Sequence, residues 1–257
     1  MSILLAVLLL LTVLGSTVLF SFPAVFANPV CGATITTNTT LTGNIGPCSG
    51  AGLIIGANGI TLNCAGLLIS GMTGNTNDGI YLNGVTGVTV KNCKVTGFAV
   101  GFVLPSSLAS GNTLTGNTAN NNVHLGFLLT GISSTGSSSN TLTGNTANSN
   151  GYDGFYLESS SKNNKLTGNT ANNNGYDGFY LTGSSGNKLK GNTANSNTQY
   201  GYFDNTISSS AGVPHWDTGN SYGTTVAKLS ATGDKGTGNG SGLAGGNPNI
   251  LTATSPF

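Results

Sequence analysis

The chain contains no arginine; its only cations are eight lysines. Seven acidic residues bring the net charge to +1, and charged residues fill 6% of the 257 positions, against roughly a quarter in an ordinary soluble domain. So thin a basic complement excludes a nucleic-acid-binding face, which needs lysine or arginine against phosphate. Proline is scarce at seven residues and glycine keeps no three-residue period, which excludes a collagen-like rod. Glycine and asparagine are abundant instead, at 41 and 33 residues. Both are poor helix formers, which argues against a helical bundle. Apolar residues return at regular places and the net charge is small, so the chain is not compositionally disordered. This balance suits turn-rich β structure.

Residues Ile3 to Phe20 form an apolar run without a charge, and apolar character continues to Phe26. Val25-Phe26-Ala27 offers small residues where a signal peptidase reads, so residues 1–27 are expected to be a cleaved signal peptide. The run lacks an initial lysine and is long enough to span a bilayer, so a retained amino-terminal anchor is the alternative. Either way the remainder is exported, and a membrane is met only through this segment. Four cysteines follow, Cys31, Cys48, Cys64 and Cys93. An even count in an oxidising compartment favours disulfides. Cys31 with Cys48 is the favoured pair. Cys64 and Cys93 each follow an asparagine and occupy equivalent places one repeat apart, as a second bridge or as two stacked thiols. Zinc is disfavoured, because no CxxC pair and no nearby histidine support it.

A repeat organises the rest. Asn112-Thr-Leu-Thr-Gly-Asn-Thr-Ala-Asn120 returns at 140–148, 164–172 and, with two lysine replacements, 187–195. The glycine of each copy stands at 116, 144, 168 and 191, giving steps of 28, 24 and 23. A Gly-led element recurs in phase, as in Gly126-Phe-Leu-Leu129, Gly154-Phe-Tyr-Leu157 and Gly178-Phe-Tyr-Leu181. A period in the twenties made of short β-type runs marks a solenoid. The several leucines per turn of a leucine-rich repeat are missing. Strand alternation places Ile80, Phe102, Phe127, Phe155, Phe179 and Tyr202 inside, with Leu82, Leu104, Leu129, Leu157 and Leu181 beside them. Leu114, Leu142, Leu166 and Leu189 form a further inward column, and Ala119, Ala147, Ala171 and Ala194 a fourth. Asn117, Asn145, Asn169 and Asn192, with Asn92 before them, are expected to stack at a bend and hydrogen-bond along the axis. The fold class is all-β: a parallel β-helix of about seven rungs, about 33 Å long at about 4.8 Å per rung, after an apolar amino-terminal helix.

These units resemble the right-handed parallel β-helix repeat proteins, over about residues 31–205. Relatives of that family include the copper-associated NosD proteins, the carbohydrate-binding and sugar-hydrolysis domains and the pectate-lyase-like superfamily. The resemblance implies right-handed coiling and is far more specific for fold than for activity. Residues 28–205 are therefore the repeat domain, and 206–257, where the repeat is lost, a carboxyl-terminal cap and glycine-rich tail that covers the open end.

Few residues invite chemistry. Asp153 and Asp177 share a Tyr-Asp-Gly-Phe context one rung apart, so their carboxyls could approach the roughly 5 Å spacing of a retaining glycosidase pair. Asp before Gly is also ordinary turn chemistry, repeated at Asp78-Gly79. The arginine base that the pectate-lyase resemblance would imply is absent. His124 and His215 read as surface residues, and two histidines with Met72 make a poor copper site. No metal or cofactor is expected. The outward column of the Gly-led strand is more informative: Tyr81, Val103, Leu128, Tyr156, Tyr180 and Phe203 form an apolar, aromatic stripe, flanked by Tyr152 and Tyr176. It suits the faces of sugars, or cover by the tail or by a neighbouring molecule. Outward threonines at 113, 115, 141, 143 and 167 resemble an ice-binding array, interrupted by Lys165, Lys188 and Lys190. The expected function is an exported, non-catalytic, structural or glycan-binding protein. A carbohydrate-active hydrolase or lyase using the aspartates is the alternative, and an ice-binding protein the next. Asn38-Thr-Thr and Asn239-Gly-Ser fit the glycosylation acceptor pattern.

Overall fold

In a computed structural model of the chain, residues 27–105, 109–132 and 135–205 are described, with two-residue strands at 12–13, 16–17 and 221–222. Among them the architecture is a coil of short strands in three parallel sheets. One sheet collects the Gly-led strands: Ala33–Ile35, Leu53–Ile55, Asp78–Leu82, Val100–Leu104, Leu125–Leu129, Phe155–Glu158, Phe179–Thr182 and Tyr202–Asn205. We call it the aromatic sheet. A second, threonine sheet runs from Thr39–Thr40 through Thr113–Thr115, Thr141–Thr143 and Lys188–Lys190 to Ser221–Tyr222. The third begins with Ile45–Cys48, Leu68–Gly71, Lys94–Thr96 and Thr118–Ala119. Single bridges through Thr146 carry it on to Thr170–Asn172 and Thr193–Asn195. Eight strands in the aromatic sheet make about seven turns.

The register is the one the repeat predicts. Phe102, Phe127, Phe155, Phe179 and Tyr202 pair in succession along the sheet. Their rings stack with centroids 4.6, 4.7, 4.8 and 4.8 Å apart, the spacing of hydrogen-bonded strands. All are buried, as are the leucine and alanine columns, and together they fill the inside of the coil. A face of identical residues in register needs no jigsaw complementarity, because each ring packs on a copy of itself.

Each full turn bends three times, and the bends share one device. A residue with left-handed backbone is followed by a buried asparagine. Gly116, Gly144, Gly168 and Gly191, at φ of 60–62°, precede Asn117, Asn145, Asn169 and Asn192. Asn121, Ser149, Asn173 and Ser196 precede Asn122, Asn150, Asn174 and Asn197 in the same way, and residues 111, 139, 163 and 186 precede Asn112, Asn140, Asn164 and Asn187. Asn145 shows the wiring. Its Nδ2 donates to Oδ1 of Asn169 at 3.0 Å and to the carbonyl of Leu114 at 2.9 Å. Its backbone N–H donates to that same Oδ1 at 2.9 Å, while its own Oδ1 accepts from Asn117. Buried amides are tolerable because every donor and acceptor is used. The coil therefore carries three asparagine ladders where the sequence predicts one.

Asn92 does not belong to the ladder assigned to it. It is exposed, with a φ of 55°, and occupies the place of the left-handed residue. Cys93 takes the ladder position, and its N–H donates to Oδ1 of Asn117 at 3.0 Å. Cys64 lies one rung before, bonded to Cys93, and Cys31 is bonded to Cys48. Both bridges are present, so the stacked-thiol alternative for Cys64 and Cys93 falls away. At this corner a covalent bond replaces the amide ladder.

The turn from Thr113 to Thr141 is longer than the turn on either side of it, and its extra residues form a hairpin of Gly131–Ile132 with Thr135–Gly136 between the aromatic and threonine sheets. The apolar amino-terminal helix and the carboxyl-terminal tail lie outside the described residues, apart from Ser221–Tyr222 and a short antiparallel pair, Thr12–Val13 with Ser16–Thr17. Among the described residues no helix is long and apolar enough to cross a membrane.

Candidate functional site

The unit Tyr-Asp-Gly-Phe-Tyr-Leu, at 152–157 and again at 176–181, carries the chain across a bend and into the aromatic sheet. Glycine is required at the crossing. A Cβ on Gly154 would lie 2.7 Å from the carbonyl oxygen of Gly178 and 2.7 Å from Cβ of Ala171, closer than real side chains come. With the backbone drawn in there, the residues on either side diverge. Tyr152 stays outside on one rim. Tyr156, two places beyond the glycine and alternating with buried Phe155 and Leu157, stands on the other. Asp153 lies between them.

Stacking turns these positions into a groove along the coil axis. One wall is His124, Tyr152, Tyr176 and Gln199. The His124 and Tyr152 rings are 5.0 Å apart and stacked, and Tyr152 and Tyr176 are 5.0 Å apart and tilted. The opposite wall is Tyr156, Tyr180 and Phe203, with centroids 4.9 and 5.1 Å apart. Leu125, Asp153 and Asp177 line the groove between them, which has a volume of about 430 Å³. Tyr200 follows Asp177 in the central column and stacks on Phe203 at 5.1 Å.

The two aspartates are integrated into the coil. Oδ1 of Asp153 accepts the N–H of Asp177 at 2.9 Å, and Oδ1 of Asp177 accepts the N–H of Tyr200 at 2.9 Å. They are 6% and 4% exposed. Burial raises Asp153 to about 6, against a partial offset from the Asp177 N–H. Burial and, next, the charge of Asp153 push Asp177 to about 8, against the Tyr200 N–H. Near neutral pH the pair therefore shares one proton. Asp78, three turns before Asp153 in the column, is also raised by burial. The Tyr156 hydroxyl is pushed above the ordinary phenol range by burial, then by the charge and hydrogen bond of Glu158. Charge is largely segregated among the described residues: Asp78, Asp153, Glu158 and Asp177 lie along the aromatic sheet, Lys91, Lys94, Lys165, Lys188 and Lys190 belong to strands of the other two, and Lys162 stands in the turn after Glu158. Among the described residues no lysine lines the groove.

The structure thus unites most of the residues that the sequence singles out. Tyr152, Tyr156, Tyr176, Tyr180, Phe203, Asp153 and Asp177 meet in one groove. Tyr81 does not. It sits in the same outward column but three rungs before Tyr156, beyond Val103 and Leu128. Val103 is itself buried, so the apolar stripe is not continuous at the surface. His124 joins a wall instead of standing alone, and Gln199 was not singled out by its sequence, although it continues the Tyr152–Tyr176 column. His215 lies outside the described residues. The outward threonines pair in register at 113, 141 and 115, 143, 167, with Lys165, Lys188 and Lys190 interrupting them as expected. No group of three or more metal-ligating side chains occurs among the described residues.

Comparison with known proteins places the coil. No curated protein sequence matches the chain. Among solved structures it superposes on the periplasmic alginate epimerase AlgG with a TM-score of 0.50 and 21% identity, over 67% of this chain and 40% of that one. It also matches pectate lyase Pel9A with a TM-score of 0.38 and 14% identity, over 82% of this chain and 71% of that one. The chain thus spans about 40% of the epimerase's length, and at such identity the likeness is one of fold. Residues 58–227 match the family described as right handed beta helix region. With the parallel register, the three-sheet coil and the asparagine corners already in view, the chain belongs to the right-handed β-helix family.

Proposed function

We propose that this protein is an exported, non-catalytic β-helix that binds a polysaccharide strand lengthwise in the groove between its two aromatic walls. The observation that carries the reading is the pair of ring columns, Tyr152–Tyr176 and Tyr156–Tyr180–Phe203, repeated at the rung spacing on either side of a polar floor. Aromatic rings at a regular spacing suit the apolar faces of successive sugars, while hydroxyl and carboxyl groups satisfy the sugar oxygens. Tyr152 and Tyr176 are 43% and 42% exposed, which leaves ring area available to a ligand. Two disulfides accord with an oxidising compartment. Export is assigned to residues 1–27 as signal or anchor, the coil to 28–205 and the cap to 206–257. AlgG acts on alginate on the same fold, but support here comes from the groove.

A second reading, cleavage of the bound glycan, is favoured by one observation: Asp153 and Asp177 sit on adjacent rungs and share a proton, the charge state an acid and base pair requires. Against it, both carboxyls are almost wholly buried, and each spends an oxygen on a backbone N–H. A glycan array with the full chain, run beside a reducing-sugar release assay, tests both readings. Binding lost on replacing Tyr156 and Tyr180 together by serine, with no sugar released, supports the binding protein. Sugar release abolished by Asp153→Asn with Asp177→Asn would replace that reading by the enzyme.

A further inference from the structure

Resting on that reading, we infer that the groove selects glycans carrying amino groups, seating a sugar ammonium between its tyrosine walls over Asp153 and Asp177. Three features of the groove point the same way. Its floor holds the two carboxyls, on neighbouring rungs. Its walls are the rings of Tyr152, Tyr176, Tyr156 and Tyr180, which screen the floor from water and so strengthen its pull on a cation. Among the described residues no lysine lines it, and the chain has no arginine at all. A uronate chain entering the groove would bring carboxylates against carboxyls in a partly desolvated site, with no cation to receive them. Such an arrangement rejects anionic polymers as firmly as it admits cationic ones. The repetition matters too. The wall rings recur every 4.9–5.1 Å, so the groove offers similar places in series, as a homopolymer requires.

The shared proton gives this binding a signature. Both carboxyls are held partly protonated by burial, and Asp177 further by the charge of Asp153; among the described residues no lysine lines the groove beside them. The other titratable groups that line the groove are His124, Tyr152, Tyr156, Tyr176 and Tyr180, with Glu158 reaching Tyr156. An ammonium placed over the pair favours its doubly ionised form, so binding expels a proton to solvent. A neutral sugar has no such effect.

The experiment is calorimetric titration of the full chain at pH 6, where amino groups on sugars, like α-amino groups, carry their proton. The probes are a glucosamine oligomer, its fully N-acetylated counterpart and a uronate oligomer of the same length, each in two buffers of different ionisation enthalpy. The glucosamine oligomer is expected to bind about tenfold more tightly than the acetylated one and to release a proton, while the uronate does not bind. Asp153→Asn with Asp177→Asn removes the charge, yet its amide oxygens still accept the N–H groups of Asp177 and Tyr200. In that double variant the preference and the proton release should both vanish. Equal binding of amino and acetylated oligomers, tight binding of the uronate, or a preference that survives the double substitution overturns the inference while leaving a glycan groove. Failure of every oligomer to bind overturns the groove's proposed function as well.

Discussion

Replacing Asp177 by asparagine should make the protein more stable at neutral and alkaline pH. The carboxyl is buried in the groove floor, and its folded value of about 8 stands against an unperturbed 3.8. Because the folded value is raised, the native state keeps a proton that the unfolded chain gives up above about pH 4. The associated stability is fully present below that pH and is lost as pH rises through the folded value. A rise of about four units corresponds to about 5–6 kcal/mol at the limit. Sharing of the proton with Asp153, and solvent at the groove mouth, reduce this to about 3 kcal/mol. Asp177→Asn keeps an oxygen for the Tyr200 N–H, removes the titration and spares Asp153 a like charge. At pH 8 the variant should therefore melt about 6–12 °C above the parent, given about 2–4 °C per kcal/mol for a chain of this size. At pH 4 the two should coincide. Circular dichroism melts from pH 4 to 9 at constant ionic strength make the comparison. A parent whose melting temperature is flat or rising between pH 5 and 8, or a variant that melts below it at pH 8, would refute the reasoning.

Other substitutions probe the coil. Phe155→Ala takes one ring from the stack between Phe127 and Phe179 and should cost about 3–5 kcal/mol in denaturant unfolding. Tyr156→Ser with Tyr180→Ser, on the outward face of the same strands, should cost far less, because no cavity opens. Gly154→Ala forces a methyl against the Gly178 carbonyl and Ala171 and should cost about 1–3 kcal/mol, visible as a lowered melting temperature at every pH. Asn145→Ala leaves the carbonyl of Leu114 and the N–H of Asn117 without their partner and should cost about 3 kcal/mol, with amide exchange accelerated at 117.

What was legible in the sequence follows from what a column is. Residues that stack on copies of themselves must recur in phase, so the phenylalanine, leucine and alanine columns and one asparagine ladder announce themselves. The other two ladders hide because asparagine is also common in any turn, and the sequence alone does not distinguish a buried amide from a solvated one. Asn92 misleads for a related reason: in Lys91-Asn92-Cys93 the asparagine supplies the left-handed bend and the cysteine enters the ladder, one place later. The groove was only half legible. Periodicity tells which residues stack, but not the angle between faces on either side of a bend. Tyr152 and Tyr156 therefore read as a stripe with a flank, where the coil makes them opposite walls around Asp153. The burial of both carboxyls likewise depends on Gly154 and Gly178 drawing the backbone inward, which no count of charges shows.

The unequal turns have a consequence for how this molecule can vary. From Asn117 to Phe127, Asn145 to Phe155, Asn169 to Phe179 and Asn192 to Tyr202 the chain keeps one length; in these turns the variation falls between the last inward leucine of the aromatic sheet and the next asparagine ladder, where the hairpin after Leu129 projects. That corner begins beside Glu158 and the wall tyrosines. Over these turns two corners keep a fixed length, and the third is an insertion point at the edge of the groove. New loops can be grafted there, rung by rung, to overhang a bound chain without disturbing the scaffold that holds it.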